Sequence, residues 1–121
     1  MTKKTILVVD DTEWNRDLIV QLLEDDYTVL QAVDGAEGVK KAELDRPDLI
    51  LMDLGMPVMD GWEATRRIKA NSELKNIPVI AVTSHAMVGD EIEARNAGCD
   101  DYLPKPIDEN ELLKKIQKLL Q

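Results

Sequence analysis

Short apolar runs alternate with longer amphipathic stretches along the whole chain. The runs are "TILVV" (Thr5–Val9), "YTVLQA" (Tyr27–Ala32), "DLILM" (Asp48–Met52), "PVIAVT" (Pro78–Thr83) and the weaker "DYL" (Asp101–Leu103). The first, third and fourth are continuous rather than alternating, the pattern of strands covered on both faces. The intervening stretches carry apolar residues at helical spacing. Trp14, Leu18, Ile19, Leu22 and Leu23 recur in the first, and Leu112, Leu113, Ile116, Leu119 and Leu120 form a stripe in the last. Asp34 with Glu37, Asp60 with Glu63 and Asp108 with Glu111 each pair an N-cap acid with a glutamate three residues on. The stretch after Thr83 is a weaker helix, interrupted by Gly89 and ending at Gly98.

The order is therefore βαβαβαβαβα. Strict alternation implies a parallel sheet with right-handed crossovers. Five strands in a chain of this size predict an α/β, flavodoxin-like doubly wound sheet of order 2-1-3-4-5, with five helices distributed over both faces. A length of 121 residues fits one domain, with boundaries at 1 and 121. Ligands of such sheets bind beyond the carboxyl ends of the strands, at the switch point between the first and third.

Charge narrows the choice of ligand. There are 15 basic against 24 acidic residues, a net charge of −9, so the surface repels phosphate backbones and anionic lipid. Neither direct nucleic-acid binding nor membrane association is expected, and no apolar run is long enough to span a bilayer. The single cysteine, Cys99, permits no internal disulfide and suits a cytoplasmic protein. It reads as a small buried spacer.

Polar residues collect at the predicted carboxyl ends. The first strand runs into Asp10 and Asp11, the third into Asp53, the fourth ends on Thr83, and the fifth leads to Lys105 in "LPKP". Two carboxylates 4 Å apart repel by about 4 kcal/mol at an effective dielectric near 20, so a cation among the three acids is the natural solution. Mg²⁺ takes one or two carboxylates and leaves positions open for phosphate oxygens. Lys105 and the Thr83 hydroxyl, with no role toward a metal, suit a tetrahedral anion. Asp53, between the acid pair and these donors, is then the candidate nucleophile, accepting a phosphoryl group as an acyl phosphate. Taken singly, "DD" is also a turn or cap, Thr83 an N-cap and Lys105 a surface lysine. Their joint placement at four different strand ends is what favours chemistry.

Together these residues resemble the receiver domain of two-component response regulators. The resemblance runs from "ILVVDD" through "LILMDLGMPVMDGWEATRRIK", "IPVIAVTSHA" and "AGCDDYLPKPID" to the last helix. It is similar to cell-division-type single-domain regulators and to hybrid-kinase receivers, and leaves open whether the chain stands alone or is a module of a longer protein. The resemblance implies that Asp53 takes its phosphoryl group from a phosphohistidine on a sensor histidine kinase or a histidine phosphotransfer protein. It implies that Asp10, Asp11, Asp53 and the Gly55 backbone carbonyl hold Mg²⁺, or Mn²⁺ in its place, while Thr83 and Lys105 bind the phosphoryl oxygens. Tyr102 falls at the family's aromatic switch position, and Gly55 and His85 at positions that tune phosphoryl lifetime. A cis Lys105–Pro106 bond is implied as well. So is an output surface made by the fourth helix, fifth strand and fifth helix, serving an effector or a weak dimer of an otherwise monomeric protein. The domain would be a phosphoacceptor switch that assists its own phosphorylation and dephosphorylation, not an enzyme turning over a separate substrate.

Three other readings are disfavoured. A phosphatase of the haloacid-dehalogenase type needs a second aspartate two residues after the first, where Thr12 stands, and a cap domain. A flavodoxin needs hydroxyls and amides in the first loop, where "VDDTEW" places carboxylates. A scaffold that keeps the fold without being phosphorylated would have no use for the intact five-residue set. Trp14 is expected partly buried against the sheet, and Trp62 structural.

Overall fold

The computed structural model describes residues 3–53, 61–83 and 95–120. Five parallel strands, β1 (Thr5–Val9), β2 (Thr28–Ala32), β3 (Leu49–Asp53), β4 (Val79–Thr83) and β5 (Asp101–Pro104), form one sheet of order β2-β1-β3-β4-β5. The predicted order therefore holds, with strand limits displaced by no more than one residue. Helices α1 (Glu13–Leu23), α2 (Gly35–Asp45) and α3 (Gly61–Ala70) follow the first three strands, and a C-terminal helix (Glu109–Leu120) follows β5. Residues 95–97 are helical too, at the end of the weak fourth segment. The rest of that segment, including Gly89, and the Asp60 cap lie outside the described residues.

Successive strand residues point to opposite faces, and the two core clusters follow that alternation. Leu7, Val9, Ile50 and Met52 pack with Ala42 of α2 and Ala64 and Ile68 of α3. Ile6, Val8, Leu49 and Leu51 pack with Ile19 and Leu23 of α1 and Leu112 and Ile116 of the C-terminal helix. β3 and β4 are buried at every position, as strands covered on both faces must be. Each fully buried Leu or Ile contributes about 1.5–3 kcal/mol, so these two layers hold the sheet rigid beneath its rim.

The capping signals work as local chemistry predicts. The Glu37 N–H donates to Asp34 Oδ1 at 2.8 Å, and Glu37 Oε1 accepts from the Val33 N–H at 3.0 Å, a reciprocal pair that starts α2. At the last helix the Glu111 N–H donates to Asp108 Oδ1 at 3.1 Å. Thr12, before α1, makes no side-chain cap bond. Its N–H instead donates to Asp10 Oδ1 at 2.8 Å, so this helix start serves the strand-end acid.

Candidate functional site

Backbone pairing brings the strand ends to one rim. Val9 is in register with Met52, Asp53 with Val82, and Thr83 with Pro104. Asp10 leaves β1 just past the last pair, and its N–H still donates to Ala32 O at 3.1 Å. Beyond β5 the Lys105 N–H donates to Thr83 O at 2.7 Å, and Lys105–Pro106 is cis as implied. Four strands thus deliver Asp10, Asp53, Thr83 and Lys105 without help from long loops.

The acids are closely grouped. Carboxylate oxygens of Asp10, Asp11 and Asp53 all lie within 4.8 Å of one another. Asp10 and Asp53 are buried, 2% and 6% exposed, while Asp11 faces solvent. Lys105 Nζ reaches into the group, 3.4 Å from Asp10 Oδ2 and 3.5 Å from Asp53 Oδ2. One ammonium among three carboxylates leaves an excess of negative charge in a largely dry corner. Such a site favours a hard cation with oxygen ligands. Thr83, at the end of β4, is also buried.

Asp10, Asp11, Asp53, Thr83 and Lys105 therefore share one rim. Tyr102 is half-buried in β5, in register with Ala81, and packs on the core cluster that includes Cys99. Gly55 and His85 lie outside the described residues. Cys99 is buried, as expected; its thiol lies 3.9 Å from Thr65 Oγ1, and burial pushes its pKa up to about 11. Trp62 packs partly buried against the same core.

Trp14 departs from expectation. It is 71% exposed, not packed on the sheet. At about 100° per residue it lies roughly 140° around α1 from Ile19, which does face the core. Leu18, only about 40° from Trp14 on the same helix, shares its stripe. With Ile19, Asn15, Lys105, Pro106 and Ile107 these residues line a cavity of about 410 Å³ beside the acids.

Two residues at the site had given no signal in the sequence. Arg16 Nη1 donates to the Asp10 backbone carbonyl at 2.7 Å, and its Nε donates to Gln31 Oε1 at 3.2 Å. An arginine on a surface helix reads as solvated, and nothing in its spacing marks a partner on a neighbouring strand.

Comparison with known proteins follows the same lines. The family model described as "Response regulator receiver domain" matches residues 6–117. The chain belongs to this family. Receiver domains are signalling switches of two-component systems, and phosphoryl transfer to an aspartate is the family function. Among its relatives, the receiver is 41% identical over 118 residues to the polar-differentiation response regulator DivK of Brucella anthropi, covering 97% of this chain and 96% of that protein. DivK of Brucella ovis is 40% identical over the same length and coverage. Among solved structures, the chemotaxis response regulator CheY4 of Vibrio cholerae is 33% identical, with a TM-score of 0.92 over 98% of this chain and 100% of that one. The receiver domain of the sensor histidine kinase PA1611 of Pseudomonas aeruginosa, whose active-site cleft coordinates magnesium, is 38% identical, with a TM-score of 0.91 over 98% of both chains. Family membership also sets the coarse partner class, since receivers act with histidine kinases or phosphotransfer proteins. Among the described residues no helix is long and apolar enough to cross a membrane.

Proposed function

We propose that residues 1–121 form a single cytoplasmic receiver domain in which Asp53 is the phosphoacceptor. The observation that carries this is the meeting of the Asp10, Asp11 and Asp53 carboxylates within 4.8 Å, with Lys105 Nζ 3.5 Å from Asp53. Of the three acids, Asp53 lies on the strand between the one bearing Asp10 and the one bearing Thr83, so a group on it is flanked by both. A carboxylate oxygen of Asp53 attacks the phosphorus of a partner phosphohistidine. The new P–O bond forms as the P–N bond breaks, and the electron pair leaves on the imidazole nitrogen.

The donor set fits Mg²⁺, because three carboxylates with room for water and phosphate oxygens match its demand for hard oxygen ligands. Asp10, Asp11 and Asp53 would hold it, with the Gly55 carbonyl by family resemblance, and Mn²⁺ is the alternative ion. When bound, the cation neutralises charge on the acids and the phosphoryl oxygens. Lys105 supplies a second positive charge, exchanging its Asp53 contact for a phosphoryl oxygen. The Thr83 hydroxyl donates to another. Hydrogen bonds to charged groups contribute about 1.5–3 kcal/mol each. Two of them approach the roughly 5.5 kcal/mol that inverts a 1:99 equilibrium.

Thr83 and Tyr102 lie on the paired strands β4 and β5, so a shift of the threonine is passed to the tyrosine and along the edge face formed by β5 and the C-terminal helix, which Lys115 Nζ joins to Asp101 Oδ1 at 2.8 Å. We assign effector binding, and any weak dimer of the monomer, to that face together with the segment after Thr83. Gly55 and His85 tune the phosphoryl lifetime. The donor is a sensor histidine kinase or histidine phosphotransfer protein. Its approach to Asp53 passes over the exposed Trp14 and Leu18 and the partly buried Ile107 beside Lys105.

The test is incubation with a small acyl phosphate, with and without Mg²⁺, for wild type and Asp53→Asn. Expected is Mg²⁺-dependent, base-labile labelling that the substitution abolishes. Equal labelling of both proteins would remove Asp53 from its role.

A further inference from the structure

Asp10 is held at every polar atom. Its N–H donates to Ala32 O, its Oδ1 accepts from the Thr12 N–H, and its Oδ2 faces Lys105 Nζ at 3.4 Å. The fourth contact comes from the helix that follows. Arg16, half-buried on the first turns of α1, turns back and donates through Nη1 to the Asp10 carbonyl at 2.7 Å. The same guanidinium is fixed through Nε by Gln31 Oε1 on β2. Gln31 is in turn tied by its own carbonyl, which accepts from Lys41 Nζ of α2. A planar fork with donors in fixed directions does what a lysine cannot, binding the end of one strand and a side chain of the next at once.

The charge of Arg16 is of the wrong sign for this location. A cation beside the acids opposes a second cation among them. Without a geometric benefit, Arg16 would weaken metal binding. Yet its hydrogen bond goes to the peptide joining Asp10 to Asp11, so it fixes the direction of both carboxylates. We propose that Arg16, anchored by Gln31, is a positioning residue for the acid pair, raising affinity for a divalent cation despite its own positive charge. This inference rests on the metal site proposed above.

The opposing signs allow a direct test. Mg²⁺ is titrated into chelator-treated wild type, Arg16→Met, Arg16→Lys and Gln31→Leu, each as the 121-residue chain. Affinity is read from amide chemical shifts of the acid pair, and fold stability from urea unfolding without metal. Outer contacts to metal ligands are worth roughly tenfold or more in affinity. Arg16→Met is therefore expected to bind Mg²⁺ roughly tenfold more weakly. Arg16→Lys should recover part of the loss, since it can donate to the Asp10 carbonyl without the Gln31 anchor. Gln31→Leu, which keeps the arginine, should show a smaller loss. Unchanged or tighter binding by Arg16→Met would overturn the proposal, as would lower urea stability with wild-type affinity. If Arg16→Met does not fold, the Gln31→Leu affinity decides in the same way. Failure of wild type itself to bind Mg²⁺ is a separate result, which overturns the metal site and with it this role.

Discussion

Replacing Asp53 by Asn should stabilise the fold in the absence of metal while destroying the proposed function. Asp53 interacts with Asp10, Asp11 and Lys105. At 4.8 Å, the outer limit of separation in the acid group, each repulsion is about 3.5 kcal/mol at an effective dielectric of 20. Solvent around the exposed Asp11 reduces its share to about 1 kcal/mol. The attraction to Lys105 at 3.5 Å is about 4.7 kcal/mol on the same scale. These nearly cancel, so the cost of burying the ion decides. The Asp53 side chain is 7% exposed, and a buried carboxylate carries a desolvation penalty of several kcal/mol, part of which the polar amide of the variant retains. Lys105 is not orphaned by the change, because Asp10 remains 3.4 Å away. The expected net gain is about 2 kcal/mol, or roughly 8 °C in Tm for a chain of this length. Thermal and urea unfolding in chelator-treated buffer measure it. Mg²⁺ at about 100 times its Kd should add about 2.7 kcal/mol to wild type. It should add less to the variant, which has lost a ligand. An Asn variant clearly less stable than wild type without metal would refute the account, because Lys105 would then be the dominant partner of Asp53. A stability gap that ignores Mg²⁺ would refute the metal assignment.

Two further predictions concern the body of the fold. Gly38 of α2 packs on β1 so closely that a Cβ would lie 2.9 Å from Val9 Cγ2. Because valine is stiff at χ1, overpacking of about 1–3 kcal/mol outweighs the roughly 1 kcal/mol that alanine gains in a helix. Gly38→Ala should lower the urea midpoint, whereas a rise would mean that Val9 yields freely. Cys99 concerns pH: burial above all, with the nearby Asp100 charge, outweighs Thr65 and Lys69 and raises the thiol from 9.0 to about 11. The unfolded chain ionises first, so this contribution is complete below pH 9 and lost as pH rises through 11. A two-unit shift corresponds to about 2–3 kcal/mol. Under reducing conditions wild type should therefore lose more stability than Cys99→Ala over that interval, and parallel curves would contradict the burial.

Much of the site was legible before folding because each element is built from local signals. The apolar strands, their caps and their strict alternation with helices allow few parallel arrangements. Once the order β2-β1-β3-β4-β5 follows, Asp10, Asp53, Thr83 and Lys105 must lie on one rim. Trp14 was misplaced because an aromatic in an amphipathic stretch looks like core, whereas helical phase relative to Ile19 and Leu23 turns it outward. Arg16 and Gln31 were missed for a different reason. Their side chains meet only after α1 has folded back over the ends of β1 and β2. Asp100 is similar, its Oδ2 accepting from both Lys69 Nζ and the Val79 N–H at 2.8 Å, at the start of β4 and away from the acid rim.

By itself, then, the sequence determined the type and order of the elements and which strand ends carry acids, because periodicity and capping are properties of neighbours along the chain. Tertiary structure decided how near the three carboxylates lie, that Lys105 stands between two of them, and that Arg16 pins the Asp10 carbonyl. These are distances between residues up to about a hundred positions apart, set by sheet register and helix rotation, and no local pattern encodes them.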